Sequence, residues 1–263
     1  MSADYRQEAV AYYDKFSEPP PGDVDFYRAR VTARTRVLEL GCGTGRVLVP
    51  LAGAAGYVQG LDHSPAMLAV CREKLAGAGI DERRARVEVA DITDFDLTGR
   101  MPRFDLITAP FRVMQNLETD AQVLGLMRCI ARHLAPGGEA ILNTFRPRGP
   151  AAELKARWDA RDGIAHGWAR PDGGDTVWIT ENCTRHRDNP LIVYPVVTYR
   201  RHDAAGAPID EARLEIAMRV WFPDELLELV RGHGFETTGL FGGYDGEAWG
   251  EGSELVVAFR RAD

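Results

Sequence analysis

Short apolar runs alternate with longer stretches of helical periodicity over the first 146 residues of the chain. Runs of five to eight residues that are bounded by turn residues are typical of buried strands. Apolar residues spaced three or four apart, as at Val123, Met127 and Ile130, predict helices between those strands. The alternation predicts an α/β fold, a doubly wound, Rossmann-like, mostly parallel sheet. The runs interpreted as strands are residues 36–40, 57–62, 85–91, 103–110 and 138–145.

The pattern changes near residue 148, after the fifth strand. One short helix is followed by β-type segments separated by turns, which predicts antiparallel strands rather than strand–helix–strand units. Helix and strand patterns return at Phe222 and continue to the end of the chain. We therefore expect a core of residues 1–147 and 222–263, with residues 148–221 as an antiparallel β insertion. The many aromatic and branched residues of this insertion favour a lid over a substrate, and its outer face is a candidate homodimer contact.

Composition narrows the class of protein. The 263 residues carry a formal net charge of −7 and no long basic run, which argues against nucleic acid or an anionic membrane as partner. The four cysteines form no C-x-x-C pair, so no metal site is expected. The polar N-terminus lacks a signal-peptide core, and no apolar run approaches membrane-spanning length. The default expectation is a cytoplasmic enzyme.

The segment "ELGCGTG", residues 39–45, follows the first strand. Three alternating glycines between a strand and a helix predict a ligand site at the carboxyl end of that strand. The spacing is G-x-G-x-G, whereas the dinucleotide fingerprint is G-x-G-x-x-G. Glu39 would repel a pyrophosphate and attract a cation. A nicotinamide-dependent oxidoreductase is the alternative, since Asp62 at the end of the second strand could bind ribose hydroxyls in either class.

This motif resembles the first motif of the class I S-adenosylmethionine-dependent methyltransferases, and the chain's ending is similar to a bacterial small-molecule subgroup that includes amino-sugar N-methyltransferases and resembles glycine N-methyltransferases. The resemblance implies that Asp91 binds the adenine amino group, with Ile92 near the ring, and that Tyr13 closes over the cofactor. The full set of expected cofactor-binding residues is Tyr13, Glu39, Gly41, Cys42, Gly43, Arg46, Asp62, His63, Met67, Asp91, Ile92 and Pro110.

The expected reaction is in-line transfer of a methyl group to nitrogen or oxygen of a small metabolite, which leaves S-adenosylhomocysteine. Some amino-sugar relatives place a histidine after the fourth strand, where this chain has Gln115 and Asn116. The catalytic residues are therefore unassigned, with Gln115, Asn116 and Tyr244 as candidates. His133, near a helix end, is expected at the surface. A protein that binds the cofactor without turnover is the non-enzymatic alternative.

Overall fold

A computed structural model describes residues 7–159 and 166–262. The strands are short and mostly apolar, and the helices between them follow the predicted periodicity. The helices are α1 (Gln7–Phe16), α2 (Asp23–Arg28), α3 (Leu48–Ala54), α4 (Pro65–Gly77), α5 (Asp120–His133), α6 (Ala151–Asp159) and α7 (Pro223–Gly232). The strands are β1 (Arg36–Leu40), β2 (Tyr57–Asp62), β3 (Ala85–Val89), β4 (Phe104–Ala109), β5 (Leu134–Phe145), β6 (His166–Asp172), β7 (Asp175–Arg187), β8 (Ile192–His202), β9 (Pro208–Glu215), β10 (Met218–Arg219), β11 (Phe235–Phe241) and β12 (Glu254–Arg261).

The larger sheet has seven strands in the order β11-β12-β5-β4-β1-β2-β3 among the described residues. β1 to β5 are parallel, whereas β12 runs antiparallel to β5 and β11 antiparallel to β12. The strand order reverses between β1 and β4, and ligands of open α/β sheets bind at such a reversal. The predicted fold class, with its antiparallel insertion before the last helix, is confirmed.

Local signals set the starts of α4 and α5. The Ser64 hydroxyl accepts a hydrogen bond from the Met67 N–H at 3.2 Å, and Pro65 occupies the first helical position. Thr119 and Gln122 form a reciprocal capping box at α5. These helices therefore leave their strands at fixed points, which fixes the loops at the carboxyl edge of the sheet.

His133 is buried rather than exposed, so the expected surface position is wrong. The ring is 1% exposed and stacks on Phe95 with centroids 4.6 Å apart. Nε2 accepts the Leu97 N–H at 2.9 Å, and Nδ1 donates to the Cys129 carbonyl at 2.8 Å. Burial lowers the pKa of His133, so it is a neutral core histidine with both ring nitrogens satisfied.

Contacts divide the chain into two compact units. One contains the seven-stranded sheet and consists of residues 19–114, 119–146 and 221–262. The other contains the antiparallel sheet and consists of residues 7–18, 115–118, 147–159 and 166–220. Within the predicted core of residues 1–147, the segments 7–18 and 115–118 make most of their contacts with the antiparallel sheet.

In this second unit the strands pair in the order β10-β8-β7-β6, and β9 also pairs with β8. α1 packs on the sheet because Tyr12 stacks on Tyr199 with ring centroids 5.3 Å apart, and Phe16 lies 6.5 Å from the same ring. The Tyr12 hydroxyl donates to Asp210, and Lys15 pairs with Asp172. These contacts explain why α1 belongs to this unit.

Helix α2 is not among the elements predicted from the sequence. Its Tyr27 side chain is fully buried, with its hydroxyl 3.2 Å from that of Tyr244, and Phe26 packs edge-on against both rings.

Across residues 7–159 and 166–262, no helix has the length and apolar character needed to cross a bilayer.

Candidate functional site

The carboxyl ends of β1, β2 and β4 meet at one edge of the seven-stranded sheet. The parallel register sets Glu39 beside Gly60 on one side and beside Thr108 on the other. Asp62 lies beside Val89 at the ends of β2 and β3. The predicted acidic residues of the first two strands are therefore brought together around the glycine loop.

The glycine loop, residues 41–45, needs its glycines for two different reasons. Gly41, Gly43 and Gly45 have φ values of 67°, 53° and 81°, which side-chain-bearing residues avoid. A Cβ on Gly41 would lie 2.6 Å from Val113, and one on Gly45 would lie 2.5 Å from the Cys71 sulfur. No described atom lies within 4 Å of a Cβ built on Gly43. The loop is thus packed against protein at its ends and open at its centre.

Asp62 holds this loop in place. One carboxylate oxygen accepts the Gly43 N–H at 2.8 Å, and the other accepts the Ser64 N–H at 2.8 Å. Nδ1 of His63 lies 3.6 Å from the same carboxylate, and the His63 side chain is 40% exposed. Because each carboxylate oxygen has a second lone pair, Asp62 can still accept hydrogen bonds from a ligand.

Glu39 is a buried carboxyl with an unsatisfied oxygen. The residue is 1% exposed, and no described group hydrogen-bonds to its Oε2. Burial raises the pKa of Glu39 well above its usual value. The neighbouring Thr108 hydroxyl is also buried, and the described residues provide it with no hydrogen-bond partner. Buried polar atoms without partners are rare in native proteins, and these two mark a place for a polar ligand or water.

Arg46 follows the last glycine of the loop and extends toward α2. Its guanidinium donates two hydrogen bonds to the buried Asp23 carboxylate, at 2.9 and 2.6 Å. It also lies 5.2 Å from the centroid of the Phe111 ring. Arg46, which is predicted to bind the cofactor, is therefore tied by this ion pair to a helix that the sequence did not predict.

Two consecutive residues after β4 have left-handed backbones. Phe111 has φ 53° and Arg112 has φ 67°, and the rest of the described chain has positive φ at glycines alone. This conformation costs a residue with a side chain about 1–2 kcal/mol. Nothing in the sequence signals it, since residues that carry a Cβ normally avoid this region.

The remaining predicted cofactor residues occupy different environments. Met67 and Pro110 are buried after β2 and β4, and Ile92 is half-buried after β3. Asp91 is exposed and accepts hydrogen bonds from the Thr93 N–H and hydroxyl at 2.8 and 2.7 Å. The Cys42 side chain is 4% exposed, and a hydrogen bond with Cys71 together with burial raises the pKa of its thiol.

The catalytic candidates do not form one cluster. Tyr244 is 6% exposed and lies in the core beside Tyr27, and burial raises its pKa well above 10.0. Gln115 is fully buried in the unit of the antiparallel sheet, where its Nε2 donates to the Arg219 carbonyl at 2.7 Å. Asn116 is half-buried in the same unit, as is Tyr13 on α1.

Metal binding has no support in the described residues, among which no three His, Cys, Asp or Glu side chains are grouped to hold an ion. The polar groups at the carboxyl edge are instead carboxylates, which accept hydrogen bonds, and backbone groups. Such a set fits an organic ligand that carries a positive charge and hydroxyl groups.

Comparison with known sequences agrees with this chemistry. A methyltransferase domain model matches residues 37–138. The chain is 29% identical to the cypemycin N-terminal methyltransferase of Streptomyces sp over 98% of this chain and 97% of that protein. It is 30% identical to a dTDP-3-amino-3,6-dideoxy-alpha-D-glucopyranose N,N-dimethyltransferase of Streptomyces fradiae, over 54% of this chain and 55% of the relative. The chain thus spans nearly all of one relative and about half of the other.

Solved structures share the fold over nearly the whole chain. An S-adenosylmethionine-dependent methyltransferase from Clostridium acetobutylicum superposes with a TM-score of 0.74 at 15% identity, covering 97% of this chain and 98% of the other, which is a likeness of fold. An amino pentose methyltransferase from Micromonospora echinaspora, solved with S-adenosylmethionine bound, has a TM-score of 0.69 at 25% identity and covers 97% of both chains. The nicotinamide alternative is left without support. Residues 37–138 match a methyltransferase domain, the chain is similar to S-adenosylmethionine-dependent methyltransferases over nearly its whole length, and S-adenosylmethionine is its cofactor.

Proposed function

We propose that this enzyme transfers the methyl group of S-adenosylmethionine to an amine nitrogen of a small molecule. The observation that carries the cofactor half is the buried, unpartnered Oε2 of Glu39 beside an open glycine loop. The acceptor half is supported by the full-length similarity to an N-terminal methyltransferase and by the similarity to an amino-sugar N,N-dimethyltransferase. An oxygen acceptor is the second candidate, because ubiquinone O-methyltransferases match about half of the chain at 30% identity.

The cofactor's charged end fits the β1 end of the site. An ammonium group near Glu39 would give the orphaned oxygen a donor and would stabilise the ionised carboxylate in its buried position. Gly43 leaves room for the cofactor to approach the backbone, since a Cβ there would point into open space. We therefore assign the amino group of the cofactor to Glu39.

The nucleoside end fits the β2 and β3 ends. The free lone pairs of Asp62 are suited to the two ribose hydroxyls, while its bonds to Gly43 and Ser64 keep the carboxylate oriented. Thr93 occupies Oδ1 of Asp91, so we assign Oδ2 to the adenine amino group, with Ile92 near the ring. The roles of Cys42, Met67, His63 and Pro110 stay predictions.

Methyl transfer requires mainly that the protein align the acceptor with the cofactor. The bound cofactor supplies a methyl group on a positively charged sulfur, which is already a good leaving group. The residues of the site must therefore hold the acceptor lone pair in line and keep water away, and such alignment can contribute about 7–11 kcal/mol. We infer that the amine enters deprotonated, because Gln115 and Asn116 are neutral amides and the raised pKa of Tyr244 makes it a poor base at neutral pH.

We also propose that the antiparallel sheet recognises the acceptor, and that its outer face forms a homodimer contact. The exposed Trp178 on β7, at 50% exposure, supports an interaction on the solvent face. Sedimentation of wild type against Trp178→Ser tests the contact. A monomer for both proteins would exclude the dimer.

Two experiments test the proposed function. In calorimetry, S-adenosylhomocysteine should bind and NAD should not. Purified enzyme with S-adenosylmethionine should then be screened against amino sugars, peptides with free N-termini and matched phenols, with mass detection of the methylated product. Methylated amines support the proposal, and methylated phenols alone would favour oxygen transfer. Cofactor binding without any product from the panel would favour the inactive-binder alternative.

The methylation rate should rise with pH up to the pKa of the acceptor amine. This pH dependence should be the same in wild type and in variants whose site residues are replaced by neutral ones, because no residue of the site acts as the base.

A further inference from the structure

The left-handed turn at Phe111 and Arg112 is held by two buried residues from other strands. The Arg112 N–H donates to Oδ1 of Asn143 on β5 at 2.9 Å. Nδ2 of Asn143 donates to Oε2 of Glu254 at the start of β12, also at 2.9 Å. The Glu254 carboxylate in turn binds the Arg112 guanidinium, with Nε at 3.3 Å and Nη2 on the other oxygen. Arg112, Asn143 and Glu254 form a closed ring of hydrogen bonds, which we call the turn clasp.

Burying the turn clasp costs desolvation free energy, because its carboxylate and amide groups are removed from water. Asn143 is fully buried and Glu254 is 1% exposed, whereas the Arg112 side chain is 31% exposed. A buried carboxylate is tolerated when it is paired and fully hydrogen-bonded, as Glu254 is here. Apolar residues could pack the ends of β5 and β12 with a smaller desolvation cost, so packing alone does not account for the clasp.

The held turn lies directly against the glycine loop. A Cβ on Gly41 would lie 2.6 Å from the side chain of Val113, the residue after the turn. The Phe111 ring lies over the guanidinium of Arg46, the residue after the loop. The turn and the glycine loop therefore lie side by side at the reversal of strand order between β1 and β4, where ligands of open α/β sheets bind.

We propose that Arg112, Asn143 and Glu254 are positioning residues that fix the acceptor-side wall of the methyl-transfer site. This inference rests on the proposed function. The clasp acts through the backbone of Phe111 and Arg112, whose left-handed conformation aims the wall at the point of methyl transfer. Strained backbone that is held by surrounding structure is a recurrent feature of functional sites. Glu39 and Asp62, to which we assign the amino group and the ribose of the cofactor, lie outside the clasp, so the clasp should affect the acceptor side selectively.

The test uses two ligands that differ at the transfer point. S-adenosylhomocysteine has a bare sulfur there, whereas sinefungin carries an amine in the place of the methyl group. The ratio of their dissociation constants therefore reports on the acceptor-side wall without an identified acceptor. Calorimetry is done on the full chain, for wild type, Arg112→Gly and Glu254→Gln. Arg100→Ala, which removes an exposed pairing with Glu88, is the matched control.

Arg112→Gly separates positioning from stability. Glycine adopts the left-handed backbone freely, so this variant loses the guanidinium without added backbone strain, and circular dichroism checks that it is folded. We expect affinity for S-adenosylhomocysteine to stay within about twofold, and preference for sinefungin to fall about fivefold or more, an amount within the range of one lost hydrogen bond. Glu254→Gln should act in the same direction, and Arg100→Ala should have no effect.

A wild-type ligand ratio in a folded Arg112→Gly protein would overturn the inference, even if Glu254→Gln fails to fold. Equal losses for both ligands would also overturn it, since they would indicate a structural role alone. Failure of the proposed function gives a separate outcome: wild type would bind neither ligand if the cofactor assignment is wrong, and would give no methylated amine in the acceptor screen if the reaction is wrong.

Discussion

Arg46 and Asp23 form a two-pronged ion pair, with nitrogen–oxygen distances of 2.9 and 2.6 Å. The pair joins the glycine loop to the first turn of α2, a helix of six residues. A helix this short is not stable by itself in water. Its position therefore depends on this pair and on the burial of Tyr27, and the shape of the glycine loop depends on α2 in return.

Replacing Asp23 with asparagine should destabilise the fold. The side chain of Asp23 is 5% exposed and that of Arg46 is 30% exposed, so solvent screens part of the lost interaction. We expect the free energy of unfolding to fall by about 1–3 kcal/mol, measured by urea titration. Asp25→Asn, on the exposed face of the same turn, is the control and should change it by less than about 0.5 kcal/mol. Equal losses in the two variants would contradict a specific role for the pair.

Replacing Glu39 with glutamine should stabilise the ligand-free protein and weaken cofactor binding. Burial raises the pKa of Glu39, so the folded state favours the protonated carboxyl. The stability from such a group is present below its unfolded pKa, near 4.5, and is lost as pH rises through the folded pKa. Ionisation of Glu39 therefore opposes folding at neutral pH, and the Tm gain of Glu39→Gln should be larger at pH ~8 than at pH ~5.

The same variant should bind S-adenosylhomocysteine at least about tenfold more weakly, the loss expected for a charged hydrogen bond. Glu236→Gln is the control, because Glu236 is a surface residue paired with Arg260. A Glu39→Gln protein with lowered Tm and unchanged affinity would refute both parts of this prediction.

Asp62→Ala should weaken cofactor binding more than Asp62→Asn. Alanine removes both acceptors, so the Gly43 and Ser64 N–H groups lose their partners along with the ribose hydroxyls. Asparagine keeps one carboxamide oxygen as an acceptor. We expect losses of about 1.5–3 kcal/mol for alanine, measured as the change in dissociation constant for S-adenosylhomocysteine. Asp224→Asn, an exposed residue on α7, is the control, and equal affinity in all four proteins would remove the ribose assignment.

Tyr12 and Tyr13 should separate two roles of α1. Tyr12 stacks on Tyr199 and binds Asp210, so Tyr12→Ala should loosen α1 and raise the hydrogen-exchange rate of its amides. Tyr13→Ala should leave those amides protected and lower the affinity for S-adenosylhomocysteine, if Tyr13 contacts the cofactor as the family resemblance implies. If Tyr13→Ala binds S-adenosylhomocysteine as tightly as wild type, Tyr13 does not contact the cofactor.

The sequence predicted the strands well because their signal is local. β1 and β2 have the predicted bounds, since each is an apolar run that ends in turn residues. Glu39 and Asp62 followed from the same runs, because parallel strands bring their carboxyl ends to one edge.

The features that were missed depend on contacts between distant residues. α2 depends on Tyr244 and Arg46, and the turn at Phe111 depends on Asn143 and Glu254. The periodicity of α1 indicates that one face of the helix is apolar, but it does not identify the sheet on which that face packs. His133 was misplaced for a related reason, since its partner Leu97 lies 36 residues away.

The packing of α1 on the antiparallel sheet also sets an order of events during synthesis. Tyr12 and its partner Asp210 are 198 residues apart, so α1 leaves the ribosome long before β9 exists. At about 5–20 residues per second, the interval is roughly 10–40 s. A ten-residue helix is marginal in water over that time. Helix α1 is therefore among the last helices to acquire its stable form, and Tyr12 and Phe16 lack their native partners until then.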